Sequence, residues 1–197
     1  LEHNCSGKHA AFLATCKKMN WPLESYLKGD HPLQVEIFRI VSELLEIPKS
    51  DINAERDDCG APTLYLKLLQ MSKLYSLLSS SENAELEQIS RAMITNPIMI
   101  SDNNKFDTEI IKASHGQVIG KGGAEGIQCL CKVNEGIGLA LKVEDGSKRA
   151  KHAVSLHLLK QLEWISDLRI QDIEEKVFNF SEGVRIEVKG QLKFQES

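Results

Sequence analysis

The sequence predicts an α/β protein of the segregated α+β kind, with a helical region followed by a small antiparallel sheet and a C-terminal helix. Three observations predict it. Apolar residues recur at helical spacing in several segments before residue 116. From Gln117 the period shortens to that of strands and is punctuated by glycines. Helical spacing then returns after Asp145-Gly146-Ser147. The same change suggests two parts, 1–116, mainly helical, and 117–197, antiparallel sheet and covering helix.

The elements follow in chain order. "KHAAFLATCKKM", residues 8–19, reads as a short helix with Ser6 or Gly7 at its start and Ala11, Leu13, Ala14 and Cys16 on its inner face. "KGDHPLQVEIFRIVSELLEI" is the clearest helix, with Asp30 as N-cap, Pro32 in the first turn, and Leu33, Ile37, Ile40, Val41, Leu44 and Leu45 as core. After the turn "DDCGAPT", a helix is expected over 62–78, broken by Ser79, Ser80 and Ser81, then another over 84–95 and a shorter one over 107–114 that stops at Gly116. Strands are expected over 117–120, 126–133 and 137–143, a long helix from about 147 to 165, and a terminal hairpin in "GVRIEVKGQLKF".

A chain of 197 residues with 42% hydrophobic content is long enough to bury a core. Its net charge of -4 provides no basic stripe, which argues against a nucleic-acid partner. Neither a bilayer-length apolar run nor a signal-peptide pattern is visible, so the expectation is a soluble cytoplasmic protein with no membrane partner. The five cysteines, at 5, 16, 59, 129 and 131, do not form the framework of a small secreted domain and read as reduced thiols.

"HNCSGKHAAF" places Cys5, Lys8 and His9 at the start of a helix, where helix-end amides favour a thiolate. Cys5 and Lys8 share one side. Two readings are open for them: a half-buried thiol beside a solvated amine, or donors to a metal, the amine having lost its proton. Asp57, Asp58 and Cys59 precede Gly60 on a loop that can approach a ligand; a thiolate pair with one nitrogen donor would suit zinc. Lys121, in "GKGGAEG", is either an exposed strand lysine or a base projecting into a cleft. Cys129 and Cys131 share a strand face and read as packing, as do His115, His152 and His157 as packing or surface residues. Ser25 and Lys28 match a Ser-x-x-Lys pattern short enough to arise by chance.

Taken in order, "HNCSGKHAAFL", Trp21 to Gln34 with "DHPLQ", "DCGAPT", "FDTEII", "KGGAEG" and "GLALKVEDGSKRA" resemble the asparaginase II family, the rhizobial-type or class 3 L-asparaginases. The resemblance runs from about His3 to about Leu162. It implies a serine β-lactamase-like fold, shared with glutaminases, and hydrolysis of L-asparagine to aspartate and ammonia by a serine activated by lysines. It also implies a zinc ion held by Cys5, Lys8 and Cys59, substrate contacts from His9 and Asp57, Lys121 as the catalytic strand lysine in preference to Lys142, and a homodimer.

The family's nucleophilic serine motif and second serine lie upstream of "HNCSGKH". The expectation is therefore that residues 1–197 are the C-terminal portion of one larger catalytic unit, with the nucleophile upstream and little activity in this stretch alone. Two other functions are compatible with the same residues: a catalytically inactive zinc- or amino-acid-binding module, and a glutaminase.

Overall fold

In the computed structural model of the protein, residues 5–178 and 186–193 are described. The chain divides into two compact units, Leu1–Lys67 and Leu68–Ser197. The composition change at residue 116 falls inside the second unit, where helices on both sides of it pack on one sheet.

The first unit holds α1 (Ser6–Met19), α2 (Pro32–Leu45) and a two-stranded antiparallel sheet, β1 (Ala54–Arg56) with β2 (Pro62–Leu64). The α1 helix starts from Cys5 at its N-cap position. Its covered stripe is not the aliphatic face expected from Ala11, Leu13 and Ala14, which are exposed. Cys5, Lys8, His9 and Phe12 are half-buried and Cys16 fully buried, an i, i+3, i+4, i+7, i+11 series made largely of polar side chains. At α2 the cap is His31, not Asp30. Its Nδ1 accepts from Leu33 N at 3.1 Å while Nε2 meets Pro22 O at 2.9 Å, so one ring caps the helix and fastens the preceding loop.

The helix expected over 62–78 begins only at Leu68. Pro62, Thr63 and Leu64 instead pair with Arg56, Glu55 and Ala54, because five intervening residues close a hairpin that sequence periodicity does not reveal.

The second unit holds a three-stranded antiparallel sheet, β3 (Val118–Gly122), β4 (Ile127–Lys132) and β5 (Ile137–Lys142), in that order. These are the expected hairpins. The same unit holds α3 (Leu68–Ser79), α4 (Ala84–Thr95), the short α5 (Ile98–Ser101), α6 (Phe106–Ala113), α7 (Lys148–Gln161) and α8 (Asp167–Val177). Asn83 and Ser147 cap α4 and α7 through their side chains.

On one side of the sheet, Val118 and Leu130 join Phe106, Ile110, Leu156, Leu159, Trp164, Ile170 and Ile173 from α6, α7, α8 and the α7–α8 turn in a continuous core. On the other side α3 lies directly on β5. A Cβ at Gly138 would fall 2.9 Å from the carbonyl carbon of Tyr75 and nearer still to Ser72 O and Ser76 N. Gly138 opposes Cys131 in the ladder, so the buried thiols of Cys129 and Cys131 share this face and act as packing. Burial lifts them to about 11 and about 12, leaving them protonated at neutral pH. The result is an α/β architecture with two small antiparallel sheets, consistent with a serine β-lactamase-like fold.

The long helix expected to run to 165 stops at Gln161, and α8 is an additional element. Within the terminal hairpin segment, 183–185 and 194 lie outside the described residues, and 186–193 form no strand. Leu192 satisfies its N–H and its C=O through the amide of Gln161, both at 2.9 Å, and His157 Nε2 meets Gly190 O at 2.8 Å. Side chains of α7 take the place of a partner strand.

Two tests follow from this packing. Gly138→Ala should destabilise the protein by about 2 kcal/mol or more, since the clash is with helix backbone, read as a lower urea midpoint. His152 is buried and stacked on Phe106 with centroids 4.0 Å apart, and burial first, then Lys151, press its pKa from 6.5 to about 4. The unfolded chain therefore binds the proton first. Stability should be full above pH 6.5, fall by about 3 kcal/mol as pH drops to 4, and level off below; His152→Phe should flatten that limb in urea titrations.

Candidate functional site

In the first unit, the opening turn of α1 and the loop between β1 and β2 bring their polar side chains together. The loop is held by Asp57. Its Oδ1 accepts from Cys59 N at 2.9 Å and Ala61 N at 3.0 Å, and its backbone closes the turn through Gly60 N to Asp57 O at 2.8 Å. The other oxygen, Oδ2, receives the Lys8 ammonium in a short, half-buried ion pair. The Cys59 thiol is in hydrogen-bond contact with Cys5, so Cys5, Lys8, Asp57 and Cys59 form one cluster.

The charges in the cluster adjust one another. Burial alone would lower the Lys8 pKa, but the hydrogen bond and charge of Asp57, with the two thiols, hold it above its ordinary value. Burial would raise Asp57, and Lys8 with the Ala61 and Cys59 amides outweighs it, leaving the carboxyl below the usual range. The Cys59 thiol is pushed up to about 11, first by its bond to Cys5, then by desolvation and the Asp57 charge. Lys8 is thus an ammonium and Cys59 a thiol in this state.

His9 lies beside the cluster on the same turn. Its Nδ1 meets Tyr26 Oη at 2.8 Å, with the two rings edge to face, and Phe12 completes the aromatic group. Tyr26 in turn takes Gln34 Nε2 of α2 on its carbonyl at 2.7 Å. Tyr26 lies in the Trp21 to Gln34 stretch, but nothing in its spacing marks it as the partner of His9. Ser25 and Lys28 flank a β-turn closed by Lys28 N to Ser25 O at 2.9 Å; they do not occupy successive turns of a helix.

The donor set fits zinc. Two thiols and an amine supply the S and N ligands the ion prefers, leaving a fourth position for another group. Among the described residues no group of three or more His, Cys, Asp or Glu gathers as a metal site. Binding would require the Cys59 thiol and the Lys8 ammonium to release their protons, and a divalent charge favours that release.

In the second unit, Lys121 stands near the end of β3, opposite Cys129. Its Nζ donates to Gly122 O at 2.6 Å and lies 4.0 Å from Asp107 Oδ2. Lys142 ends β5, and its Nζ donates to Val143 O at 2.7 Å. What distinguishes the two lysines is the neighbourhood of Lys121. Asp107, in the first turn of α6, is buried and accepts from Gly122 N and from Gln128 Nε2, each at 2.8 Å. The buried Lys151 bonds Gly123 O at 2.9 Å and Ile127 O at 3.0 Å, and its pKa is lowered by burial despite the attraction of Asp107. Sequence reading passed over Asp107, Gln128 and Lys151. Asp107 does carry a signal, an acid in a first helical turn inside "FDTEII".

The family model described as L-asparaginase II matches residues 1–194, and the chain belongs to that family, whose activity is of the asparaginase-type amidohydrolase kind. No curated protein matches the sequence. No helix among the described residues is long and apolar enough to cross a membrane.

The double use of Asp57 separates by substitution. Asp57→Asn retains an acceptor for the loop amides and should leave hydrogen exchange at Cys59 and Ala61 within about threefold of wild type; Asp57→Ala should speed it by about tenfold or more, a loss of about 1–3 kcal/mol of local order. Amide-resolved exchange checks both.

Proposed function

We propose that the protein hydrolyses L-asparagine to L-aspartate and ammonia by a serine-lysine mechanism, with zinc bound by Cys5, Lys8 and Cys59. The observation that carries this reading is the convergence of those three donors with Asp57, in a chain of the L-asparaginase II family. The resemblance further supports a homodimer, and the proposed location is the cytoplasm, as the sequence reading expects.

In this account the serine oxygen adds to the side-chain carboxamide carbon, and its proton passes through a lysine amine to the departing nitrogen. The C–N bond breaks, ammonia leaves, and an aspartyl ester remains. Water then adds to the ester, its proton returns through the same amine to the serine oxygen, and L-aspartate is released. Lys121 is assigned to this proton transfer, with backbone amides stabilising the oxyanion. His9 and Asp57 contact substrate. His9 is suited to that by its fixed ring, since Tyr26 holds Nδ1 and leaves Nε2 for a ligand. Bound zinc would supply a positive charge that orients the substrate.

Two measurements test this. The product of the complete reading frame should release ammonia from L-asparagine faster than from L-glutamine; equal or reversed rates would make it a glutaminase, and no release would leave a binding module. Elemental analysis of purified protein should show zinc, and Cys59→Ala should lose at least nine-tenths of it. Stoichiometric zinc in Cys59→Ala would remove the proposed ligand set.

A further inference from the structure

The second unit contains a buried charge cluster that the reaction scheme does not use. Asp107, Gln128 and Lys151 are all buried, and they surround the backbone of Gly122, the residue after Lys121. They come from α6, β4 and α7 respectively. Three elements thus meet at one strand end.

The arrangement is closed around Gly122. A Cβ there would lie 2.9 Å from Lys151 Nζ, 3.1 Å from Gln128 Oε1 and 3.4 Å from Asp107 Oδ2. The Gly122 N–H is taken by Asp107 Oδ2, the second oxygen of Asp107 is taken by Gln128 Nε2, and Lys151 holds the carbonyls of Gly123 and Ile127 across the β3–β4 turn. Only Gln128 Oε1 lacks a hydrogen-bond partner among the buried side-chain atoms of the described residues. A buried carboxylate is costly unless it is paired and hydrogen-bonded, and here its partners are the Gly122 N–H of the strand that carries Lys121, the Gln128 amide and, at 4.0 Å, the Lys121 ammonium.

We propose that Asp107 is the positioning residue for Lys121, fixing its strand through the Gly122 N–H and holding its ammonium from 4.0 Å. This rests on the assignment of Lys121 to proton transfer. Two effects combine in it. The carboxylate limits where the lysine's main chain can sit, and its charge balances Lys121 against Lys151, the like charge supplied by α7. Asp107 needs no contact with substrate for either.

The test uses Asp107→Asn, which preserves shape and an acceptor for Gly122 while removing the charge. In the product of the complete reading frame, kcat for L-asparagine should fall at least tenfold with KM within about threefold. Independently of turnover, acylation of Lys121 by an amine-reactive reagent at fixed pH, read peptide by peptide in a mass spectrometer, should rise at least threefold while Lys142, the internal reference, stays unchanged. Wild-type kcat together with unchanged Lys121 labelling would overturn the proposal. So would equal rises at Lys121 and Lys142, which mark general loosening.

Lys121→Gln separates this proposal from the reading beneath it. If that variant retains full kcat, Lys121 is not the catalytic lysine and the kinetic arm falls, whereas the labelling arm still decides whether Asp107 governs the Lys121 amine. Should Asp107→Asn fail to fold, Gln128→Met, which releases the other carboxylate oxygen, should shift labelling and kcat in the same directions by smaller factors; no shift in either would overturn the proposal.

Discussion

A carboxylate that must satisfy two obligations at once governs both units. Asp57 accepts the N–H groups of Cys59 and Ala61 and faces the ammonium of Lys8; Asp107 accepts the N–H of Gly122 and faces Lys121. In each case the acid organises a stretch of backbone and sets the electrostatic surroundings of a lysine. Local geometry and local charge therefore cannot vary independently. Removing either acid would leave backbone donors without their acceptor and a cation without its counterion.

This coupling has a chemical side. Lysine is a useful base only after losing a proton, and a neighbouring carboxylate opposes that loss. At Lys8 that carboxylate is in direct contact and holds the amine above its ordinary pKa; at Lys121 the carboxylate stands 4.0 Å away. In the proposed scheme a metal ion would displace the Lys8 proton by its own charge.

Much of the fold was legible in the sequence because it follows from periodicity. The α4 helix, capped by Asn83, and the three strands of the second unit occur where alternation and glycine placed them. Other features were hidden for physical reasons. Pro62 looks like a helix start, but its missing N–H is equally tolerated at a short strand's edge, and pairing with Arg56 decided the outcome. The α1 stripe was missed in part because two of its covered positions are Lys8 and His9, which hydrophobicity does not count. Of the cluster, Cys5, Lys8 and Cys59 could be singled out from motifs. The Asp57 bonds to loop amides, the Tyr26 bond to His9 and the Asp107 cluster could not, since each joins residues through a fold that spacing alone does not define.

Gln161 has a consequence for how the C-terminal stretch is specified. Its amide reads only the main chain of Leu192, both donor and acceptor, as His157 reads only the carbonyl of Gly190. These contacts read no side chain of the docked segment, so its sequence is constrained through the backbone instead: Gly190 sits at a φ of +111° that favours glycine, and proline at 192 would abolish the donor that Gln161 requires.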